Sequence, residues 1–423
     1  MGFEEFPNGA HSITNTLVDG RMDTRRTLRI LTFSSLYPNA VQPRHGVFVE
    51  ERLRHLVEAG GVSVTVLAPV PWFPSRNSRF GRYAQYADVP REEKRHGLRV
   101  LHPRYPVLPK VGMSVAPWLM ARALLPVLRR IEQQNGGFDL IDAHYFYPDG
   151  VAAVWLGERL GKPVTVTSRG TDVNWIPRYP LPKRQLCWAA ERAAGLISVS
   201  AALGEHLVSL GVDRKRIVVL RNGVDLELFR PQVEAGAALR SELGIEGTVL
   251  LSVGSLIERK GHHVTLQALQ RLPDATLLIA GEGPLEGALR RQAETLGLGA
   301  RVRFLGPVAH DDLARYFSAA NVSVLASSRE GMPNVVLESL ACGTPVVACD
   351  AEGVSEVLAE AVAGRVASAR EPEALVDAIV ALLDAHPGQD AVREYAQRFS
   401  WEDTSAGQLA LFRRICDGDG GLR

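Results

Sequence analysis

Short apolar runs alternate with helix-length segments along almost the whole chain, and this alternation limits the possible folds more than any other feature. Many of the runs are rich in Val, Ile and Leu and are bounded by Gly, Pro or Asp, as buried parallel strands are. The segments between them, such as His45–Ala59 and Val151–Leu160, are long enough to be helices. This order predicts an α/β fold whose parallel sheets carry helices on both faces.

The predicted strands form two groups, which fits the two domains expected for 423 residues. Those of the first half are Leu28–Phe33, Val62–Ala68, Leu98–His102, Asp139–Ala143, Val164–Ser168, Leu196–Val199 and Ile217–Leu220. Those of the second half are Thr248–Val253, Ala275–Ala280, Val302–Leu305, Val322–Leu325 and Pro345–Cys349. Between the groups, Leu226–Gly247 combines a proline and three glycines with alternating charges, which predicts a linker. Two doubly wound domains should therefore face each other across a ligand-binding cleft.

Composition excludes several classes of protein. No run of about 18 apolar residues occurs, so a membrane-spanning helix is not expected. Residues 1–27 lack the apolar region of a secretory signal and are predicted to be a disordered leader. The four cysteines are scattered without a CxxC pair, which favours the reducing cytoplasm and argues against a zinc site. No other metal site is predicted.

The net charge of +1 conceals an opposition between the two halves. Residues 1–230 have ten more basic than acidic residues, whereas the remainder has nine more acidic than basic residues. Two segments carry part of the basic excess: Pro71–Arg95, which lacks clear periodicity, and the apolar, basic-ended Lys110–Arg130. The second segment could lie in a membrane interface or pack as a helix on the first sheet. The charge opposition indicates an anionic partner for the first half, or simply two solvated surfaces.

The strongest chemical signal is the segment from Glu330 to Glu338, which follows the strand Val322–Leu325. Gly331 and Pro333 interrupt the chain, and a helical pattern begins at Asn334. Free amides at such a helix start can bind phosphate, and the two carboxylates can accept hydrogen bonds from sugar hydroxyls.

A second signal, Gly254 to Gly261, follows the first strand of the second half. The glycines allow close approach of a ligand, and Arg259 and Lys260 bring two cations to the cleft. Lys260 is the only lysine after residue 215, which indicates that a compact point charge is needed there. An exposed basic loop is the alternative interpretation.

Weaker signals lie at strand ends elsewhere. In the first half, Asp142 and His144 end one strand, and the segment from Arg169 to Asp172 follows the next. In the second half, Gly281, Glu282 and Gly283 together with Gly287 miss the dinucleotide-binding fingerprint by one residue. The sequence therefore gives little support for a nicotinamide or flavin cofactor.

These motifs together resemble the retaining nucleotide-sugar glycosyltransferases of family 4, which have the GT-B fold of two Rossmann-like domains. The resemblance extends from about residue 28 to residue 415. Its carriers are His144 with PDG, RGTD at 169–172, VSAAL at 199–203, NGVD at 222–225, VGSLIERKG at 253–261, IAGEGPL at 279–285 and EGMPNVVLESLACGTPVVA at 330–348. The two glutamates eight residues apart are the most specific of these marks.

The resemblance implies a role for each matching residue. Glu330, Lys260 and His144 are the expected catalytic residues, with Lys260 on the donor diphosphate, Glu330 at the sugar hydroxyls and His144 facing the sugar. Arg169 and Asp172 are expected on the acceptor side. The expected donor-binding residues are Gly46, Gly254, Arg259, Lys260, Glu282, Gly331, Met332, Pro333, Asn334, Val335 and Glu338.

Two positions depart from the family pattern. Ser255 stands where members often carry Arg, and Arg259 is the candidate substitute for holding the diphosphate. Arg169 stands where many members have His in an HGTD-like segment, which affects the acceptor side.

The expected function is retaining, metal-independent transfer of a sugar from a nucleoside-diphosphate sugar to a hydroxyl of a glycan or lipid-linked acceptor. The alternatives are a nucleotide-sugar epimerase of the same fold and a non-catalytic nucleotide-sugar-binding partner. No cofactor and no nucleic acid are expected, and the expected place is the cytoplasm, with an anionic inner membrane surface as a further partner. The expected units are the N-terminal domain (28–225), the linker (226–247), the C-terminal domain (248–399), a helix returning to the N-terminal domain (400–415) and a tail (416–423).

Overall fold

The computed structural model describes residues 26–108, 112–134 and 136–418, and within them two α/β domains. Most of the predicted leader and the end of the predicted tail lie outside these residues. The strands of the first domain are β1 (Leu28–Phe33), β2 (Val62–Leu67), β3 (Val70–Pro71), β4 (Glu92–Arg95), β5 (Leu98–Leu101), β6 (Arg104–Tyr105), β7 (Leu140–His144), β8 (Val164–Ser168), β9 (Gly195–Ser198) and β10 (Ile217–Val219). Those of the second are β11 (Thr248–Val253), β12 (Ala275–Ala280), β13 (Val302–Gly306), β14 (Val322–Leu325), β15 (Val346–Cys349) and β16 (Gly364–Ala367).

Helices cover the sheets of both domains. They are α1 (Val47–Glu58), α2 (Arg82–Asp88), α3 (Ala116–Gln133), α4 (Val151–Leu160), α5 (Thr171–Asn174), α6 (Pro180–Arg192), α7 (Ala201–Ser209), α8 (Val233–Glu242), α9 (His262–Leu269), α10 (Glu286–Thr295), α11 (Leu313–Ala319), α12 (Asn334–Ala341), α13 (Val354–Val357), α14 (Pro372–Asp384), α15 (Gln389–Ala396) and α16 (Trp401–Cys416). None of the helices in the described part of the chain is both long enough and apolar enough to span a bilayer.

Each domain is built on one large sheet, and the predicted strands are confirmed to within one residue at each end. The first sheet has the order β10-β9-β8-β7-β1-β2-β5-β4, and the second has the order β13-β12-β11-β14-β15-β16. All pairs in the second sheet are parallel, with Leu250 opposite both Leu277 and Val322. In both sheets the chain reverses its winding direction near the middle, and this is where such folds bind ligands.

The segment Pro71–Arg95, which shows no periodicity in the sequence, is more ordered than predicted. It contains α2 and the edge strand β4, which pairs antiparallel with β5. His96 and Gly97 connect the two strands with φ values of 45° and 81°, as in the tight hairpin turns that suit twisted strands. The first sheet is therefore mixed rather than wholly parallel.

Helix α3 settles one of the alternatives left open by the sequence. Its residues Met120, Ala121, Leu124 and Leu128 are buried in the core of the first domain. The helix therefore packs into this core, next to α4 and β6, rather than lying free of the domain. Trp118, near its start, is nevertheless 52 % exposed.

Two segments link the domains. The predicted linker contains α8, whose Gly236 lies against the Ser318 carbonyl at the end of α11, so this part of it is an ordered element of the second domain. Helix α16 packs on the first domain, against α1. Phe412 is buried in the core beside β1 and α1, and Gln408 donates a hydrogen bond to Asp142 (3.0 Å).

Candidate active site

The cleft between the domains contains two adjoining cavities of about 330 and 430 Å³. The first is lined by Phe229 and His310 among others, and the second is lined by Lys260 and Glu330 among others. They are called the nucleoside cavity and the sugar cavity, after the parts of the donor that the family resemblance implies there. Residues Phe48, Val253, Gly254, Asn334 and Glu338 line both. The two cavities therefore form one continuous site of the size that small ligands occupy.

Glu330 is the ionic centre of the sugar cavity. It lies on the loop between β14 and α12, where the predicted break of the chain brings its carboxylate back toward the end of β11. Lys260 donates to Oε1 (2.7 Å) and Arg259 donates to Oε2 (3.2 Å). Burial alone would raise the pKa of Glu330, but the charges of Lys260 and Arg259 outweigh it and lower this pKa. Glu330 is therefore a carboxylate acceptor at neutral pH.

Glu338 lies eight residues further on, within α12, and contacts a residue that the sequence did not single out. His310 Nε2 lies 3.1 Å from Glu338 Oε1. Burial lowers the pKa of His310, but the hydrogen bond and charge of Glu338 outweigh it and raise this pKa to about 9. The pair is therefore a charged one at neutral pH. The position of His310, in the loop after β13, is the signal that could have identified it.

Glycines bring backbone to the site at several points. Gly46 has φ 76° and begins α1, and a Cβ there would lie 2.4 Å from the Leu36 carbonyl carbon. Gly281 has φ 149°, and its Cβ would lie 1.9 Å from the Gly254 carbonyl oxygen. Side chains are excluded at both positions, so the main chain itself borders the nucleoside cavity.

The start of α12 also borders the two cavities. Met332, Pro333, Asn334 and Val335 line the sugar cavity, and Pro333 occupies the cap position without a side-chain cap. The first amides of a helix have no intrahelical partner, so this end can bind phosphate or hydroxyl groups. Asn334 also accepts a hydrogen bond from Asn222 of the first domain (2.8 Å).

The domains touch at Gly331. A Cβ there would lie 2.0 Å from the Arg169 carbonyl oxygen and 3.0 Å from Gly170 Cα. Gly170 itself has φ 138°. Backbone from the two domains therefore meets directly beside Glu330.

His144 is not placed as the resemblance implies. Its ring is fully buried and lies outside the residues that line the two cavities. Nε2 contacts Asp142 (2.9 Å), and Nδ1 contacts the Arg169 guanidinium (2.5 Å). Burial lowers the pKa of His144 to about 4, so the imidazole is neutral at pH 7. Arg169 does line the sugar cavity, and the contact with His144 holds its guanidinium in place.

The remaining sites predicted from the sequence lie in two places. Asp172 is fully buried and accepts hydrogen bonds from the amides of Phe146 (2.7 Å) and Gly170 (2.7 Å), so it orders the loop behind the cavity. Glu282 lines the nucleoside cavity and accepts a hydrogen bond from Arg44 of the first domain (3.0 Å). Ser255 lines the nucleoside cavity, whereas Arg259 lies in the sugar cavity.

Tyr145 is a further lining residue that the sequence did not indicate. It follows β7, lines the sugar cavity and has φ 82°. A non-glycine residue in this region costs about 1–3 kcal/mol, and such strain is typical of functional sites. No local sequence signal marks it, because tyrosine disfavours this conformation.

One group of metal-ligand types occurs in the described part of the chain: Glu51, His55 and Asp225, with ligand atoms within 4.8 Å of one another. Arg54 also contacts both carboxylates, at 3.3 Å from Glu51 and 3.7 Å from Asp225. The Arg54 guanidinium therefore already supplies the positive charge that these two carboxylates would otherwise draw from a metal ion.

Two family models match the chain. The model described as Glycosyltransferase Family 4 matches residues 45–228, and the model described as Glycosyl transferases group 1 matches residues 238–399. A protein of Bacillus subtilis described as a teichuronic acid biosynthesis glycosyltransferase is 31 % identical over 339 residues. That match covers 78 % of this chain and 83 % of the relative.

Solved structures share the two-domain architecture. Sucrose-phosphate synthase of Thermosynechococcus elongatus superposes with a TM-score of 0.74 and 22 % identity, covering 93 % of this chain and all of that chain. The Anabaena protein HepE in complex with UDP-glucose has a TM-score of 0.68 and 20 % identity, covering 93 % of this chain and 99 % of that chain. At these identities the likeness concerns the fold.

Proposed function

The chain belongs to the family 4 glycosyltransferases of the GT-B fold, and we propose that it transfers a sugar from a nucleoside-diphosphate sugar to a hydroxyl of a glycan or lipid-linked acceptor, with retention of configuration. The observation that carries this proposal is the Glu330 carboxylate, held between Lys260 and Arg259 at the start of α12. The complex of HepE with UDP-glucose favours a uridine donor.

The two cavities fit the parts of such a donor. The nucleoside cavity supplies the Phe229 ring and the His310–Glu338 pair, and Glu338 is suited to accept hydrogen bonds from ribose hydroxyls. The sugar cavity supplies Lys260, Arg259 and the first amides of α12 for the diphosphate. Glu330, which faces the same cations, can accept hydrogen bonds from hydroxyls of the transferred sugar.

Charge development explains why these groups promote transfer. When the bond to the diphosphate breaks, negative charge grows on the leaving phosphate oxygen and positive charge grows on the anomeric carbon. Lys260, Arg259 and the helix start stabilise the former, and these cations can serve where other enzymes use a metal ion. The acceptor hydroxyl attacks from the face of the leaving group and passes its proton to the departing phosphate.

The membrane is proposed as the place of the acceptor. Apolar side chains are exposed at the end of the first domain beside α3 and α6: Met113, Val115, Trp118, Tyr179 and Leu181. Hydrogen bonds join the two groups, since Gln185 of α6 donates to the Ser114 carbonyl (3.0 Å). Lys183 and Arg184 are exposed nearby. Apolar residues flanked by cations suit an anionic bilayer surface, and four free thiols suit its cytoplasmic side.

The test of transfer is a panel of uridine- and guanosine-diphosphate sugars, assayed for release of nucleoside diphosphate with and without lipid extract from bacterial envelopes. We expect one uridine-diphosphate sugar to release UDP only when extract is present. Donor conversion without extract would identify an epimerase instead, and donor binding without release or conversion would identify a non-catalytic binder.

The test of membrane binding is flotation with vesicles of phosphatidylcholine alone or mixed with phosphatidylglycerol. Binding should require the anionic lipid and weaken with salt, and the change Trp118→Ser should reduce it. Arg398→Ser, an exposed cation on the second domain, should leave it unchanged. Equal binding to both vesicle types would refute the membrane proposal and leave the transfer proposal intact.

A further inference from the structure

Two arginines share one indole ring, and one of them, Arg329, lines the sugar cavity. Arg178 ends the short turn after α5 in the first domain, and Arg329 immediately precedes Glu330 in the second. Each guanidinium carbon lies 3.9 Å from the centre of the Trp175 ring. Cation–π contact holds a guanidinium by its flat face and leaves its N–H groups free at the edge.

These two charges are not neutralised by direct ion pairs. Within residues 26–108, 112–134 and 136–418, neither Arg178 nor Arg329 forms an ion pair with a carboxylate, and Arg329 Nη1 is enclosed without a hydrogen-bond partner. Burial, followed by the charges of Arg259 and Arg178, lowers the pKa of Arg329, and the charges of Glu352 and Glu258 oppose this only in part. Like charges therefore face one another around Arg329, which costs free energy that a bound anion would offset.

The donor diphosphate does not require this pair. Lys260, Arg259 and the start of α12 already supply its cations and amides on the inner side of Glu330. Arg329 lines the sugar cavity together with Tyr145 and Asn174 of the first domain, which is the domain expected to bind the acceptor. A second anionic group beyond the donor would find its partners here.

We propose that Arg329 and Arg178 bind a phosphate group of the acceptor, with Trp175 holding both guanidinium planes in place. This inference rests on the proposed transferase function and names the acceptor as a phosphate-bearing molecule. The guanidinium fork matches two phosphate oxygens at once, which a lysine would not do. The phosphate can belong to a soluble sugar phosphate or to a membrane lipid phosphate.

The test separates these sources in two arms, both with the donor site saturated by UDP. One arm titrates glucose 1-phosphate by calorimetry, with glucose as the uncharged control. The other measures flotation with phosphatidylcholine vesicles that contain undecaprenyl phosphate, against phosphatidylcholine alone. The variants are Arg329→Gln and Arg178→Gln. The matched control is Arg159→Gln, since Arg159 also lies over an indole ring (Trp155, 4.6 Å) but outside both cavities.

We expect the phosphate probe of one arm to bind, and each cleft variant to lose about tenfold in affinity, as the loss of one charge-assisted hydrogen bond implies. UDP affinity should stay within about twofold, and Arg159→Gln should change neither value. Unchanged probe affinity in both cleft variants, or no probe binding in either arm, overturns the acceptor site. An equal loss of UDP affinity also overturns it, because the arginines would then belong to the donor site. Failure of the wild type to bind UDP would instead refute the transferase proposal.

Discussion

Lys260 Nζ lies 2.7 Å from Glu330 Oε1, and this contact joins the end of β11 to the loop that follows β14. Both side chains are largely enclosed, with exposed fractions of 15 % and 9 %. The lysine therefore compensates a buried carboxylate and at the same time presents a cation to the sugar cavity. Removal of either partner should therefore affect both the stability of the loop and the rate of the proposed sugar transfer.

The first prediction separates those two effects. Lys260→Ala should lower the turnover number about 10²- to 10³-fold, because a preorganised cation is lost from the leaving group. A thermodynamic cycle with Glu330→Gln should give a coupling free energy of about 0.5–3 kcal/mol in chemical unfolding. Lys215→Ala, at an exposed lysine of the first domain, is the matched control and should leave both quantities unchanged. Turnover near that of the wild type in Lys260→Ala would contradict the role given to this residue.

The sequence predicted the two sheets because buried parallel strands leave a strong signal. Val164–Ser168 (VTVTS) and Val346–Cys349 (VVAC) are buried at every position, and both runs are free of charge and rich in β-branched residues. Strand β4 was not predicted, because all of its residues, EEKR, are charged. It lies at the edge of the sheet and pairs with β5 in a hairpin. Helix α8 was obscured by the glycines of its segment, one of which serves close packing against α11.

The site was predictable where a residue lies next to a break in the chain. Glu330 and Lys260 were singled out in this way, whereas Gly46 was expected from the family resemblance alone. His310 was not found, because its importance comes from a contact with Glu338 across 28 residues of sequence. The burial of His144 behind Arg169 could not be predicted either, since the side-chain direction at a strand end depends on tertiary packing.

The second prediction concerns pH and His310. Its pKa in the folded chain is raised to about 9, above the value of about 6.5 in the unfolded chain. The stabilisation is therefore complete below about pH 6.5 and is lost as the pH rises through about 9. Thermal unfolding should show a melting temperature that falls over this range by about 2–4 °C per kcal/mol lost. His310→Gln should flatten this part of the profile, and His386→Gln, at an exposed histidine, should not. A profile unchanged in His310→Gln would exclude the ion pair with Glu338.

The third prediction concerns the contact between the domains. Gly331→Ala would place a Cβ 2.0 Å from the Arg169 carbonyl oxygen, so the backbones must move apart. Displacements near 1 Å at a reaction centre cost about 10²-fold in rate. We therefore expect a turnover number reduced to that extent, with unchanged circular dichroism. Gly299→Ala is the matched control, because its Cβ would meet no atom within 4 Å. Equal activities of the two variants would show that the domains do not meet this closely in the reacting complex.

The last prediction assigns His144 a positioning role through Arg169. His144→Ala should leave the Arg169 guanidinium without its partner at 2.5 Å and should destabilise the chain by about 1–3 kcal/mol for each buried group left unsatisfied.

The same substitution should also change how the stability of the chain depends on pH below neutrality. The pKa of His144 is lowered to about 4 in the folded chain, so its stabilisation is present above about pH 6.5 and is lost as the pH falls toward 4. Chemical unfolding between pH 4 and pH 7 should show a smaller loss of stability in His144→Ala than in the wild type. The donor KM should change little compared with the turnover number, because His144 lies outside both cavities and Arg169 is expected to meet the acceptor. A selective rise in the donor KM, with unaltered stability, would show that His144 meets the donor directly.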